Sequence, residues 1–118
     1  MDANRKAQLK EMYRNMTTWY GVIRLTNTHN KKMFIASYPN LKNKELVLRM
    51  QLDDGRHPNA TLQADWKALG GDAFVYEVLE KRDAAKVEDA RFAAHQLEKQ
   101  HLKLLKPYGE RGYNKPPR

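Results

Sequence analysis

The sequence contains no cysteine, which excludes disulfide bonds and thiolate metal sites and fits a reducing compartment. It also lacks an apolar run approaching the roughly 18 residues of a membrane-spanning helix. The first residues, MDANRKAQLKEMYRNM, lack the apolar core of a signal peptide. There is neither an internal repeat nor a low-complexity linker. We therefore expect a cytoplasmic protein with no export signal and no membrane-spanning segment.

Acidic residues are few relative to basic ones. Twenty-two Lys and Arg against fourteen Asp and Glu give a formal net charge of +8. Such an excess indicates a polyanionic partner, either nucleic acid or an acidic membrane surface. The alternative interpretation is that the charge serves solubility alone. With 118 residues, 41% of them hydrophobic, the chain is long enough for one domain with a modest core and too short for two.

Two short apolar segments joined by a polar turn predict a β-hairpin. Residues 19–25 and 33–37 are apolar, and TNTHNKK between them supplies the Asn and Thr that turns favour. Alternation in AFVYEVLEK, residues 73–81, predicts a third strand that returns to the hairpin.

Apolar residues at helical spacing predict four helices. Asn59 is the candidate N-cap of the third, which two glycines end. The predicted ranges are 3–16, 41–54, 60–69 and 83–105.

The predicted fold class is α+β, with a three-stranded antiparallel sheet flanked by helices in a small layered structure. We divide the single domain, residues 1–118, into an N-terminal helix (1–18), a core (19–105) and a basic C-terminal tail (106–118).

An ordered set of motifs resembles the GIY-YIG endonuclease family. GVI (21–23) and FIA (34–36) stand where the two name-giving tripeptides are expected, with RLTNTHNKKM between them. A middle region follows with an His-x-Asn and a Leu-Gln, and then LEKQHLKLLKPYGERGYN, which resembles the family's helical Glu and terminal Tyr-Asn. The resemblance covers residues 19–114. It implies the same three-stranded antiparallel sheet flanked by helices.

The resemblance also implies a site for phosphodiester hydrolysis. Such chemistry needs a proton acceptor for water and a cation, commonly Mg²⁺ or Mn²⁺, for the developing charge. Glu98 matches the metal-binding Glu, and its alternative role is a boundary carboxylate in contact with water or a Lys. Asn114 matches the residue that orients the site, and its alternative role is to cap a turn. No small-molecule cofactor is implied.

The family tyrosines are replaced in this sequence. Ile23 and Phe34 occupy their positions, and neither can accept a proton. Lys44 aligns with the phosphate-binding Arg and lacks its bidentate fork. His57, in the loop GRHPN, is the candidate substitute base, although a loop His is more often a surface residue. Tyr38 shares a face with Phe34 but lies roughly 13 Å further along the strand.

Basic residues lie in the hairpin turn and in the segment after it, and they form the candidate phosphate-binding surface. It contains Lys31, Lys32, Lys42, Lys44, Arg49 and Arg56. The tail adds Lys106, Arg111, Lys115 and Arg118, which we interpret as a disordered arm that contacts phosphates, or else as a solvated segment.

The sequence thus predicts a GIY-YIG-type nuclease domain that acts on or binds nucleic acid, with DNA as the expected partner. Replacement of both tyrosines indicates reduced or lost catalysis. One alternative is an active metal-dependent endonuclease with a substitute base. A further alternative is a protein-interaction domain without enzymatic activity.

Overall fold

Residues 17–116 are described by the structure, a computed structural model with three strands and three α-helices in that range. The helix predicted at residues 3–16 lies outside the described residues. Within 17–116, no helix has the length and apolar character needed to cross a membrane. In chain order the elements are β1 (Trp19–Asn27), β2 (Met33–Tyr38), α1 (Lys44–Asp53), α2 (Ala60–Leu69), β3 (Phe74–Asp83) and α3 (Ala90–Leu105).

The three strands form one antiparallel sheet in the order β2-β1-β3. The predicted hairpin is β1 and β2, and the third strand joins it along the other side of β1. The predicted α+β fold with a three-stranded antiparallel sheet is confirmed. β1 is the central strand, so both of its edges are paired, and helices on the two sides of the sheet bury both of its faces.

Alternating side chains of β1 enter two separate apolar cores. Tyr20 and Val22 pack with α3 on one face of the sheet, while Ile23 and Leu25 pack with α1 and α2 on the other. Val22, Ile23 and Leu25 have no exposed surface. Complete burial of such a side chain contributes roughly 1.5–3 kcal/mol. The alternation of β1 therefore sets which side of the sheet each later residue faces.

A β-bulge in β3 explains the glycine that opens the GVI tripeptide. The pairing with β1 shifts between Val22, which is opposite Glu80, and Ile23, which is opposite Val78. A Cβ on Gly21 would lie only 2.1 Å from the backbone oxygen of Glu80. No side chain fits there, so the first residue of the tripeptide must be glycine.

Side-chain caps fix the starts of α2 and α3. Asn59 accepts a hydrogen bond from the Leu62 N–H at 3.1 Å, as predicted. The long helix, however, begins at Ala90 rather than at the predicted Asp83. Asp83 instead caps a short 3₁₀ turn, and Asp89 caps α3 by accepting from the Phe92 N–H. Two competing caps six residues apart made the earlier start appear plausible in the sequence.

The chain after α3 returns along the outer edge of β2. Lys106 adopts a left-handed conformation at φ 48°, and Tyr113 is buried, with its N–H donating to the Met33 carbonyl at 2.8 Å. The interpretation of the tail as a disordered arm is therefore wrong for residues 107–114. A segment that supplies hydrogen bonds to a strand edge is held in place by them.

Candidate active site and nucleic-acid interface

The two positions matched to the family tyrosines lie on the α1/α2 face of the sheet. Ile23 is fully buried in the core there, and Phe34 packs at the border of the same core. Neither side chain has an atom that can accept a proton. These two positions therefore contribute packing and no proton chemistry.

His57 lies against Phe34 in edge-to-face contact, with ring centroids 5.2 Å apart. Its Nδ1 accepts a hydrogen bond from the Asn59 N–H at 3.0 Å. Burial lowers the pKa of the His57 ring below its usual value. A neutral imidazole whose Nδ1 is an acceptor carries its proton on Nε2, so the free nitrogen is a donor. His57 is thus arranged to donate a hydrogen bond, not to act as the base predicted from the sequence.

Lys44 contacts Tyr38 instead of Phe34, whereas Glu98 bonds to Ser37 on the opposite face of the sheet and influences Tyr38 through its charge. The Lys44 Nζ lies 5.6 Å from the centroid of the Tyr38 ring. Burial raises the pKa of Tyr38, and the negative charge of Glu98 raises it further. The tyrosine therefore stays protonated at neutral pH beside the two residues matched to the family's phosphate and metal ligands.

A second tyrosine extends this cluster across the sheet. Burial raises the pKa of Tyr76 to about 12, with smaller contributions from Tyr38 and Glu45. Tyr76 packs against the α1/α2 core together with Tyr38. The sequence interpretation set Tyr38 aside because of its distance from Phe34. Tyr76 could not be recognised from the sequence, because its position beside the core depends on how β3 pairs with β1.

Glu98 lies on α3, at the boundary between the α3 core and solvent. The Ser37 hydroxyl donates to its Oε2 at 3.0 Å, and the His95 Nδ1 lies 3.7 Å from the same oxygen. The side chain is 21% exposed. Among residues 17–116, no group of three or more His, Cys, Asp or Glu side chains is arranged to hold a metal. Glu98 is thus a single carboxylate with access to solvent.

Asn114 contacts the backbone of β2 and not the cluster around Tyr38. Its Oδ1 accepts from the Ile35 N–H at 2.9 Å, and its Nδ2 donates to the Ile35 carbonyl at 2.8 Å. The side-chain amide thus makes the two backbone hydrogen bonds that a neighbouring strand would otherwise make. Asn114 holds the strand whose end carries Ser37 and Tyr38, which makes it a positioning residue.

The predicted basic surface divides into free and engaged cations. Lys31 and Lys42 are exposed, and the Lys32 Nζ lies 5.7 Å from the Tyr113 ring centroid. Arg56 pairs with Asp54 at 3.0 Å and remains largely exposed. Arg49 is engaged in intramolecular hydrogen bonds: its guanidinium donates to Glu45 and to the carbonyls of Gly71 and Phe74. The geometry gives Arg49 a structural role and leaves the lysines available.

Two solved structures share this arrangement of strands and helices. The catalytic domain of the homing endonuclease I-TevI is 21% identical, with a TM-score of 0.67 over 83% of this chain and 99% of that one. An alanine mutant described as the catalytic domain of intron endonuclease I-TevI is 23% identical, with a TM-score of 0.54 over 81% and 92%. At such identities the likeness shows the GIY-YIG fold alone. No protein-family model matches the chain, and no curated protein matches it significantly.

Proposed function

We propose that this domain binds nucleic acid, with DNA as the preferred partner, and hydrolyses it slowly or not at all. The observation that supports this most directly is the burial of Ile23 without a proton acceptor, while Lys42 is exposed and Lys44 is partly exposed beside Tyr38. The fold is that of a homing endonuclease catalytic domain. The net charge of +8 supplies long-range attraction for a phosphate backbone.

Lysines at the hairpin turn and at the start of α1 form the proposed interface. Lys31, Lys32 and Lys44 changed together to Ala should weaken DNA binding roughly 10-fold at about 50 mM salt, and should reduce the salt slope by about 2 to 3 because three counterion-releasing contacts are lost. The measurement is fluorescence anisotropy of a labelled duplex across a salt series.

A control variant separates this interface from total charge. Lys67, Lys86 and Lys103 are exposed and lie outside the proposed surface, so their replacement by Ala removes the same charge. If both triple variants lose affinity equally, binding follows net charge and the interface is wrong. If neither changes the affinity, the proposal of a phosphate-binding face fails.

Tyr38 supports a second candidate function, a metal-dependent endonuclease. It is the hydroxyl that neighbours both Glu98 and Lys44. Glu98 fits a divalent ion of the Mg²⁺ type, since that ion keeps several waters and takes one or two carboxylates together with substrate phosphates. When bound, such an ion supplies Lewis-acid stabilisation and lowers the pKa of bound water.

In that candidate mechanism, each residue of the cluster has a defined task. Lys44 neutralises the phosphate that is attacked. The neutral Tyr38 Oη holds the attacking water by hydrogen bonding, since its raised pKa keeps the proton on the phenol. His57 contacts Phe34 instead of Tyr38, so it lies outside this cluster and has no task in it. This cluster lacks a side chain that can accept a proton from the attacking water.

A plasmid-nicking assay with Mg²⁺ or Mn²⁺ distinguishes the two functions. We expect no more than very slow nicking by the unmodified chain, since general-base assistance is typically worth about 10²–10⁴-fold. Lys44→Arg, which restores a bidentate fork for a phosphate beside Tyr38, should raise metal-dependent nicking, and adding Glu98→Gln should abolish the gain. Ile23→Tyr is unsuitable, because overpacking a fully buried position typically costs about 1–3 kcal/mol.

Efficient nicking by the unmodified chain would favour the second function if it is lost in both Glu98→Gln and Tyr38→Phe. Nicking that survives Glu98→Gln would place the chemistry elsewhere or identify a contaminant. Rates are compared at equal DNA occupancy, so that a change in affinity is not mistaken for a change in chemistry.

A further inference from the structure

Two aromatic side chains, each with a lysine over its ring, lie on either side of Gly21, which is itself buried. The Lys44 Nζ lies 5.6 Å from the Tyr38 ring centroid, and the Lys81 Nζ lies 4.9 Å from that of Trp19. Gly21 is directly opposite Tyr38 on one side and Lys81 on the other. Residues paired across antiparallel strands point to the same face. Both pairs therefore share a surface whose centre has no side chain.

An open pocket of about 590 Å³ lies at the Trp19 end of this surface. Trp19, Leu41 and Val78 give it an apolar lining, and Lys42 and Lys81 give it positive charge. Trp19 is 38% exposed and Val78 is 47% exposed. Val78 reaches the same face as Lys81 because of the β3 bulge. The pocket thus combines a half-exposed indole with two cations, and no carboxylate from residues 17–116 lines it.

We infer that this pocket, the Trp19 pocket, holds one unpaired base of a nucleic-acid strand whose phosphates contact Lys42 and Lys81. The inference rests on the proposed nucleic-acid binding and gives it a specific feature. Single-stranded nucleic acids are bound by aromatic side chains that stack with bases inside positively charged grooves. A base entering the pocket displaces the Lys81 ammonium from the Trp19 ring and leaves it free for a phosphate.

Charge complementarity distinguishes this occupant from an apolar peptide. A purely apolar ligand would cover Trp19 and Val78 but leave two lysine ammonium groups at the rim without a counter-charge. A nucleotide satisfies both halves of the pocket, because its base is planar and apolar on its faces and its phosphate is anionic. Tyr38 is opposite Gly21, two residues from Trp19 along β1, so the pocket and the Tyr38–Lys44 pair are near one another on the same face.

The pocket also borders the point where the described chain begins, at Thr17 and Thr18. Residues 1–16 of the same chain are therefore the competing occupant. This alternative gives a distinct result in the test below, because a pocket filled by its own chain does not respond to bases.

The test uses the two tryptophan indole N–H signals in a ¹H–¹⁵N NMR spectrum of the full chain. Trp66 is an internal reference, since it is 4% exposed and its Nε1–H donates to Asp53 at 2.8 Å. The probes are an eight-residue oligothymidylate and an oligomer with the same phosphates and no bases. Trp19→Leu and Trp19→Phe serve for assignment and for affinity measurements.

We expect oligothymidylate to shift the Trp19 signal and leave that of Trp66 in place, whereas the abasic oligomer shifts neither. Trp19→Leu should weaken oligothymidylate binding about 5- to 100-fold, the range expected for the loss of one base–aromatic stack. Trp19→Phe should restore part of that affinity. Affinity for the abasic oligomer should be the same in all three proteins.

Equal binding of both oligomers, with no effect of Trp19→Leu, would overturn the base pocket and leave the phosphate-binding face intact. An unmoved Trp19 signal despite tight oligothymidylate binding would do the same and would favour residues 1–16 as the occupant. Failure of both oligomers to bind while the labelled duplex still binds would overturn this inference alone, and failure of the duplex as well would refute the proposed function together with it.

Discussion

The outer edge of β2 is closed along Met33–Ile35 and open along Ser37–Tyr38. In the closed half, the Tyr113 N–H donates to the Met33 carbonyl. The Asn114 side chain bonds to both the N–H and the C=O of Ile35. Alternate residues of a strand direct their backbone groups to the same side, so those of Ser37 also point outward. Within residues 17–116, neither the N–H nor the C=O of Ser37 has a partner on that side.

The difference shows where this fold uses its terminal segment for stability and where it leaves room for a ligand. An exposed strand edge is a hazard that proteins usually cover or interrupt. Here the chain covers the half that is far from Glu98 and Lys44. The half beside those residues keeps a hydroxyl, a phenol and a carboxylate at the surface. The predictions below test this division, in order of decreasing effect.

Removal of the side chain that closes the edge should have the largest effect. Asn114→Ala leaves the N–H and C=O of Ile35, which is 1% exposed, without partners. A buried unsatisfied group costs about 1–3 kcal/mol, so we expect a loss of about 2–3 kcal/mol in the free energy of unfolding. Urea denaturation followed by circular dichroism measures it.

Asn40→Ala is the matched control, because Asn40 is exposed and its side chain accepts from one backbone N–H, that of Lys42. That variant should lose less than about 1 kcal/mol. Equal losses in the two variants would mean that Asn114 does not close the edge.

The hydroxyl of Tyr113 anchors the closed half to the core, and its removal should have the next largest effect. It accepts from the Nδ2 of the fully buried Asn27 at 3.0 Å and donates to Asp65 at 2.7 Å. Tyr113→Phe should cost about 1–2 kcal/mol, because the Asn27 amide loses its acceptor in a site without water access. Tyr108→Phe is the control, since Tyr108 is half-buried and its hydroxyl has no partner among the described residues. A cost below about 0.5 kcal/mol for Tyr113→Phe would contradict the anchor.

Changes in the open half should leave stability almost unchanged. Glu98→Gln retains the Ser37 hydrogen bond, so unfolding free energy should change by less than about 0.5 kcal/mol. Loss of one negative charge at the interface should instead raise DNA affinity about 2- to 5-fold at low salt. Anisotropy titrations at two salt concentrations measure this change. A stability loss comparable with that of Asn114→Ala would erase the distinction between the two halves.

The smallest effect concerns the protonation of His57, which packs on Phe34 near the boundary of the two halves. Burial lowers its pKa below 6.5, so its contribution to stability is present above pH 6.5 and is lost as pH falls through the lowered value. An NMR titration, assigned with His57→Gln, should give a midpoint below 6.5. The ¹⁵N shifts should also show a protonated Nε2 at neutral pH. A midpoint above 6.5 would contradict the effect of burial, and a proton on Nδ1 with a free Nε2 would restore His57 as a candidate base.

Much of the fold follows from local sequence. The period-two pattern around TNTHNKK determined the β1–β2 hairpin, and Asn59 capped α2 as its position predicted. These features depend on residues that are neighbours in the chain, so their signals are readable without a structure. The start of α3 was the exception, because Asp83 and Asp89 are both good caps and only packing selects between them.

The candidate site depended on contacts that the sequence does not encode locally. The basic composition, Glu98 and Lys44 were evident from the sequence. That both side chains influence Tyr38 was not, because it requires α1 and α3 to pack near the end of β2. Arg49 was misjudged for the same reason, since the carbonyls of Gly71 and Phe74 that engage it are more than twenty residues away. Sequence periodicity fixes which face a side chain takes, whereas the neighbours on that face are decided by the burial of apolar surface between distant elements.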